Sequence, residues 1–232
     1  LNGVFYSLIA LDSGEFEVPE HAKWNREKLI NYLLERQNED FGWSWDGISK
    51  SDIDTTAMVL TALSPYKEQE EVKKAINVAV EYLSSQYLAG KIDNSSTAAQ
   101  AVIGLSAIGI DANDESLFTK NEMSLIAYLL TFQNNDGGFD WQGGNVSDVF
   151  STGQGIQGIV SYQLFLNNKG SLYQLPLTSN VDSKTETSND SENTADEGQE
   201  GKPLPNTATQ TFNFLAFGFF LLILGVIFMT IE

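Results

Sequence analysis

The chain carries two copies of one turn-forming stretch. Gln37-Asn38-Glu39-Asp40-Phe41-Gly42-Trp43 matches Gln133-Asn134-Asn135-Asp136-Gly137-Gly138-Phe139 at an offset of 96 residues. A Ser-Asp pair follows each copy at the same offset, at residues 51–52 and 147–148. A shorter match at residues 82–86 lies between the copies and reduces the period to about 48 residues. Repetition over such lengths is typical of a fold assembled from equivalent units, and here each unit is predicted to hold one pair of helices.

The two helices of a pair differ in hydrophobic pattern. Residues 26–36 and 70–88 carry an apolar stripe opposite charged residues, as amphipathic surface helices do. Residues 53–63, 97–110 and 150–166 are apolar or small nearly all round, which indicates helices buried on both sides. This alternation predicts two layers, with an outer set of helices surrounding an inner set.

These repeats resemble those of the α/α toroid family, which includes terpenoid cyclases, protein prenyltransferase β-subunits and cobalamin-carrier proteins. Units of that family carry a glutamine, an Asp-Gly-Gly-aromatic turn and a Ser-Asp-x-x-x-Thr-Ala helix start, as in residues 133–139 and 51–57. The resemblance covers most of residues 1–168. It implies an all-α fold for residues 1–170, an incomplete toroid of about three and a half helix pairs that begins inside an inner helix at residues 2–11. We expect the rest of the ring to precede Leu1 in a longer precursor, which would also carry the export leader.

A second resemblance lies toward the other end of the sequence. Leu204-Pro205-Asn206-Thr207-Ala208 precedes an uncharged apolar run at residues 214–231. As a helix this run would rise roughly 27 Å, close to a hydrocarbon core of about 30 Å, so we predict a transmembrane helix. The pentapeptide and the run together resemble the cell-wall sorting signal of Gram-positive surface proteins. That resemblance implies that a sortase, a membrane-bound cysteine transpeptidase, cleaves after Thr207 and joins the new carboxyl group to peptidoglycan.

Two departures from the sorting pattern bear on which enzyme reads it. Ala208 stands where the family usually has Gly, which favours a sortase of a variant class. The sequence ends Thr230-Ile231-Glu232, whereas such signals normally end in Lys or Arg that hold the tail on the cytoplasmic side. Either a basic tail lies beyond this sequence or retention in the membrane is weaker than usual.

Composition supports an exported protein with three segments. The net charge is −18 and there is no cysteine, so nucleic-acid binding, disulfides and thiolate chemistry are not expected. Residues 171–203 are polar and acidic, and we predict a disordered, extended stalk there. The predicted segments are the toroid at residues 1–170, the stalk at 171–203 and the sorting signal at 204–232. The protein is expected in the membrane before cleavage and on the cell wall afterwards.

Asp52-Ile53-Asp54-Thr55 is the strongest candidate for catalysis. Class II terpene cyclases use D-x-D-D, in which the middle acid donates a proton, and the match would make Asp54 the general acid. Thr55, however, replaces the last Asp of that motif. The alternative is structural, with Ser51 or Asp52 capping the start of a helix. Recurrence of Ser-Asp at residues 147–148 favours capping.

The turns supply the remaining candidate residues. Gly42, Gly137 and Gly138 are predicted to adopt positive φ in tight turns. Four aromatic residues of the turns are interpreted as turn packing or, alternatively, as ligand-facing residues at the mouth of the ring: Trp43, Trp45, Phe139 and Trp141. Four acids (Asp40, Asp46, Asp136 and Asp140) lack the spacing of a calcium loop, and His21 is the only histidine, so no metal site is predicted.

Two functions remain open from the sequence. The first is a non-enzymatic surface protein whose toroid binds a ligand, a host component or a wall component. The second is a wall-displayed cyclase-like or other enzyme that uses Asp54 as general acid. A wall location favours the first, because polyprenyl substrates are made inside the cell and stay in the membrane. No cofactor is expected, although the resemblance to cobalamin carriers makes cobalamin a possible ligand.

Overall fold

The structure, a computed structural model, describes residues 1–14 and 16–174. This part of the chain is mostly helical, as predicted, and contains seven α-helices and one short β-hairpin. The helices are α1 (Asn2–Asp12), α2 (Arg26–Leu34), α3 (Ile53–Leu63), α4 (Glu70–Leu88), α5 (Ser95–Ile108), α6 (Leu125–Leu130) and α7 (Val149–Leu166). Strands β1 (Thr119–Lys120) and β2 (Met123–Ser124) pair antiparallel.

The odd-numbered helices form one layer and the even-numbered helices pack on it. Helices α1, α3, α5 and α7 contact one another in that order, while α2, α4 and α6 pack respectively on α1, α3 and α5. Burial follows the same division. All residues of α3 except Asp54 are buried, whereas α4 buries one face and exposes the other. The alternation of hydrophobic patterns in the sequence has its physical cause here, because a helix covered on both sides needs apolar or small residues all round.

The four helices of the first layer run in the same direction. At their starting ends, the Thr97 hydroxyl of α5 donates a hydrogen bond of 3.3 Å to Asp54 in the first turn of α3. At their far ends, the Tyr66 hydroxyl just after α3 donates a 2.7 Å bond to Asp12, the last residue of α1. The loops that precede these helices therefore gather at one end of the layer.

Glycines let the helices of the first layer approach closely. A Cβ added at Gly104 of α5 would lie 2.6 Å from the carbonyl oxygen of Ala57 in α3, and one at Gly158 of α7 would lie 3.1 Å from Ala99 of α5. The two contacts are equivalent, because each glycine lies ten residues after its N-cap and each alanine five residues after its own. Gly153 holds the alanine's position in α7, and a Cβ there would meet nothing within 4 Å.

The predicted helix bounds hold except for shifts of one or two residues. The helix predicted at 97–110 runs from Ser95 to Ile108 because Asn94 accepts from the backbone N–H of Thr97 and so caps its start, while Gly109 at φ 87° ends it. Within residues 1–14 and 16–174, no helix is both long enough and apolar enough to span a membrane. The apolar run at 214–231, the pentapeptide at 204–208 and all but residues 171–174 of the predicted stalk lie outside the described residues.

Candidate functional site

Two loops meet the starting ends of the first helix layer. The carbonyl oxygen of Trp45, in the loop before α3, accepts a 2.7 Å hydrogen bond from the backbone nitrogen of Leu1, directly before α1. The carbonyl oxygen of Trp141, in the loop before α7, accepts a 2.9 Å bond from the backbone N–H of Ser95, at the start of α5. We call the surface formed by loops 44–51 and 140–148, residues 91–94 and the first turns of α3, α5 and α7 the rim.

The repeated turn shapes the rim through one hydrogen-bond network that occurs twice. Asp40 Oδ1 accepts from the hydroxyl of Ser51 at 2.5 Å and from the backbone N–H of Gly42 at 3.3 Å. In the second copy the corresponding bonds are 2.7 and 3.0 Å, and they join Asp136, Ser147 and Gly138. The Ser-Asp pairs detected in the sequence thus tie each turn to the helix that follows it.

A threonine closes the network from inside each helix. Thr56 Oγ1 accepts from the backbone N–H of Trp43 at 2.9 Å, and Thr152 Oγ1 accepts from Phe139 in the same way at 2.9 Å. This role was not predicted from the sequence, although the recurrence of the Thr of Ser-Asp-x-x-x-Thr at the offset of 96 is a signal of it. Buried N–H groups need such partners.

The prediction for the turn glycines is correct only in part. Gly137 has φ 85°, but in the first copy the equivalent positive φ, 70°, belongs to Phe41 and not to Gly42. Gly42 and Gly138 serve a different purpose. A Cβ at Gly42 would lie 2.6 Å from Cβ of Ser51, and one at Gly138 would lie 2.6 Å from Oγ of Ser147, so both are glycines because the serine approaches closely.

The four aromatic candidates divide into two kinds. Trp43 and Phe139 are 0% exposed, which corrects their prediction as possible ligand-facing residues and confirms the turn-packing interpretation. The Trp43 indole N–H even donates to the carbonyl of Leu33 at 2.7 Å. Trp45 and Trp141 are 64% and 55% exposed. The side chains of Trp43 and Phe139 point into the core because threonine hydroxyls hold their backbone N–H groups. Trp45 and Trp141, each two residues further on, reach solvent.

The capping interpretation of the Ser-Asp pairs is confirmed for the aspartates. Asp52 accepts from the backbone N–H of Thr55 at 2.7 Å, and Asp148 accepts from that of Ser151 at 2.8 Å. Ser51 does not cap the helix, since its hydroxyl is bound to Asp40.

Asp54 has a different environment from the capping aspartates. It is solvent-exposed but lies between the starts of α3 and α5, with its Oδ2 bound to the Thr97 hydroxyl. Its pKa is raised, chiefly because the surrounding protein removes part of its hydration and further because the charges of Asp52 and Asp93 repel its own, while the Thr97 bond opposes the shift.

Asp54→Asn is therefore expected to raise the stability of the chain at pH 7. A carboxyl group whose folded pKa is raised destabilises the folded state once it is ionised, and this effect disappears below the pKa of the unfolded chain. The difference in melting temperature between variant and wild type should be positive at pH 7 and shrink toward zero near pH 3. Glu81→Gln, on the exposed face of α4, is the matched control and should show no such trend. A stability loss on Asp54→Asn at pH 7 would contradict this account of the site.

The rim also holds the most exposed apolar side chains of the described residues. The five largest exposures among large hydrophobic residues belong to it: Val149 93%, Ile48 87%, Phe150 77%, Val146 75% and Trp45 64%. Clustering of exposed apolar groups marks interaction surfaces, whereas scattered single residues are ordinary. No periodic signal in the sequence indicated this cluster, because its members lie in two loops and in the first turn of α7, far apart along the chain.

The remaining acids of the loops are occupied by their own backbone. Asp46 accepts from the backbone N–H groups of Ile48 and Ser49 and from the Ser49 hydroxyl, and these bonds, the hydroxyl first, lower its pKa. Asp140 accepts in the same manner from Gly143 and Asn145. Among the described residues no three acids or histidines are grouped to hold a metal ion.

A second surface feature lies on α1, away from the repeated turns. An open, mostly apolar groove of about 870 Å³ runs between α1 and the segment that leads to α2. Its lining includes Val4, Leu11, Phe16, Val18 and Trp24. Leu29 of α2 also lines the groove.

Comparison of the chain with known protein families, with curated proteins and with solved structures gave no match. Functional assignment therefore rests on the sequence signals and on the geometry of the rim.

Proposed function

We propose that this chain is a bacterial surface protein that a sortase links covalently to peptidoglycan through Thr207, and that its helical part binds a ligand at the rim. The observation that carries the proposal is the pairing of Leu204-Pro205-Asn206-Thr207-Ala208 with the apolar run at 214–231. The run would hold the exported chain in the membrane, and the sortase would then exchange it for the cell wall. The acidic segment at 171–203 would keep the helical part clear of the wall.

For the helical part we propose an α/α toroid of about three and a half pairs. Support comes from the order of contacts, since α1, α3, α5 and α7 form a continuous layer and α2, α4 and α6 form its outer cover. Equivalent Gly–Ala contacts between successive helices support a regular repeat. In such an arrangement the rim lies at one mouth of the ring, where loops are free to diverge and bind ligands.

Muramidase digestion of isolated walls tests the proposed function. Muramidase cuts the glycan strands, so a covalently anchored protein should be released with attached wall fragments, while boiling in detergent should leave it on the wall. Complete extraction by detergent alone would contradict covalent anchoring.

A second candidate function is a wall-displayed enzyme with Asp54 as general acid. The raised pKa and accessible position of Asp54 favour it, because an acid held protonated to higher pH is a better proton donor. Thr55 at the place of the last Asp in D-x-D-D and the capping role of Asp52 weigh against it. An activity abolished by Asp54→Asn but retained by Asp52→Asn would establish this alternative.

A further inference from the structure

We infer that the rim is a docking surface for a basic polypeptide segment, whose Lys or Arg side chains pair with Asp54 and Asp93 and lie against the exposed rings of Trp45 and Trp141. This inference rests on the proposed ligand-binding role of the helical part. It adds the chemical class of the ligand, which the sequence left open.

Trp45 and Trp141 are exposed to solvent although their backbone is held in place. Both backbones are hydrogen-bonded to the starts of helices, Trp45 also through its N–H to Asp52 at 3.2 Å. An indole ring that stays in water on a rigid loop costs free energy, and this cost is removed when a partner covers the ring. The faces of such rings attract ammonium and guanidinium groups, and the aliphatic stems of Lys and Arg pack on them.

Acidic residues outnumber basic residues at the rim. The rim, with the capping residue Asp52, contains six acidic side chains against Lys50 and Lys91. Most of these carboxylates are engaged by backbone N–H groups or hydroxyls, including those that cap α3 and α7. The capping aspartates also offset the positive ends of the α3 and α7 dipoles. The negative charge of the rim therefore comes from the acids that do not cap a helix.

Asp54 and Asp93 are the acids best placed for a partner. Asp54 accepts one hydrogen bond from Thr97 and Asp93 accepts one from the side-chain amide of Asn94, and both donors are neutral. Within residues 1–14 and 16–174, neither aspartate belongs to an ion pair. The pKa of Asp54 is raised chiefly by loss of hydration, and repulsion from the charges of Asp52 and Asp93 adds to the shift. A cation bound at Asp54 and Asp93 would offset that repulsion.

Charge complementarity selects the occupant. Phosphate-bearing polymers would be repelled by this surface, and a neutral sugar would gain nothing from the repulsion between the two aspartates. A segment with several Lys or Arg residues can pair with the carboxylates of Asp54 and Asp93 and pack on the indole faces in the same complex. The whole chain, at −18, has the same sign of charge and would speed the approach of a basic partner.

Binding of labelled octalysine to the full chain in non-ionic detergent tests the inference, with fluorescence anisotropy as the readout. Octalysine should bind and octaglutamate should not, and added salt should weaken the complex. Trp141→Ala and the double variant Asp54→Asn/Asp93→Asn should each weaken binding by about tenfold, equivalent to 1.4 kcal/mol. Trp24→Ala, an exposed tryptophan outside the rim, and Glu81→Gln should leave the affinity unchanged. Circular dichroism should show that each variant is folded.

Three outcomes would overturn the inference. Octalysine that does not bind, or that binds equally to wild type and to both rim variants, would exclude a basic ligand at the rim. Binding of chitotetraose that Trp141→Ala removes would replace the basic peptide by a neutral sugar and leave the ligand-binding role intact. Loss of wall anchoring is scored separately at Thr207, so failure of the rim inference and failure of the anchoring proposal are distinguishable.

Discussion

Replacing Thr207 by Ala is expected to reduce the wall-linked fraction of the protein by at least about tenfold, which corresponds to 1.4 kcal/mol in the transition state of the transpeptidation. In the proposed reaction the sortase thiolate attacks the Thr207 carbonyl and releases the amino group of Ala208. Thr207 is the residue whose carbonyl group becomes the acyl group, so the enzyme must recognise it. A changed side chain there loses contacts that stabilise the transition state. The measurement is quantitative immunoblotting of muramidase-released and detergent-extracted fractions. The variant should accumulate in the detergent fraction with its apolar run attached.

Ala208→Gly is the matched control for this prediction. It changes only the residue that leaves, so wall linkage should fall far less than in Thr207→Ala, since the acyl-forming residue and the position of the leaving amino group are kept. Pro205→Ala should behave like Thr207→Ala. Unchanged wall linkage in both Pro205→Ala and Thr207→Ala would mean that the pentapeptide is not the recognition sequence.

Gly104→Ala is expected to destabilise the helical part by about 1–3 kcal/mol, through overpacking. The added Cβ would lie 2.6 Å from the Ala57 carbonyl oxygen and 2.9 Å from Ala57 Cα. Both atoms are backbone, so α3 and α5 must move apart, and this outweighs the gain of helix propensity that Ala normally brings over Gly. Thermal unfolding followed by circular dichroism should show a fall in Tm of several degrees.

Gly153→Ala provides the control within the same layer. Its position in α7 is equivalent to that of Ala57 in α3, but a Cβ there meets nothing within 4 Å. Ala should therefore stabilise α7 by roughly 0.5–1 kcal/mol. If Gly104→Ala also raised Tm, the close contact between α3 and α5 would be refuted.

The helical architecture was largely predictable, and the residues explain why. The fully apolar character of residues 53–63 predicts a helix covered on both sides, and α3 occupies that range with all but Asp54 buried. The match between residues 37–43 and 133–139 predicts equivalent turns, and the two hydrogen-bond networks agree bond for bond around Asp40 and Asp136. Such agreement arises because local hydrogen bonds depend on residue types at fixed spacing.

The candidate site was predictable only in part, because side-chain direction depends on contacts distant in sequence. Trp43 and Trp45 looked alike in the sequence, yet one is buried under α2 and the other faces solvent. The position of Asp54 beside Thr97 and Asp93 depends on how α3 meets α5, which no local pattern encodes. In both copies the positive φ falls one residue before the glycine that the serine approaches, so Phe41 adopts it in the first copy and Gly137 in the second.

Covalent anchoring at Thr207 is tested by mass spectrometry of the muramidase-released wild-type protein. Its C-terminal peptide should end at Thr207 and carry the mass of a peptidoglycan fragment, a stem peptide with its remaining sugars, in amide linkage. A released protein that still contains residues 214–231 would contradict covalent anchoring at Thr207.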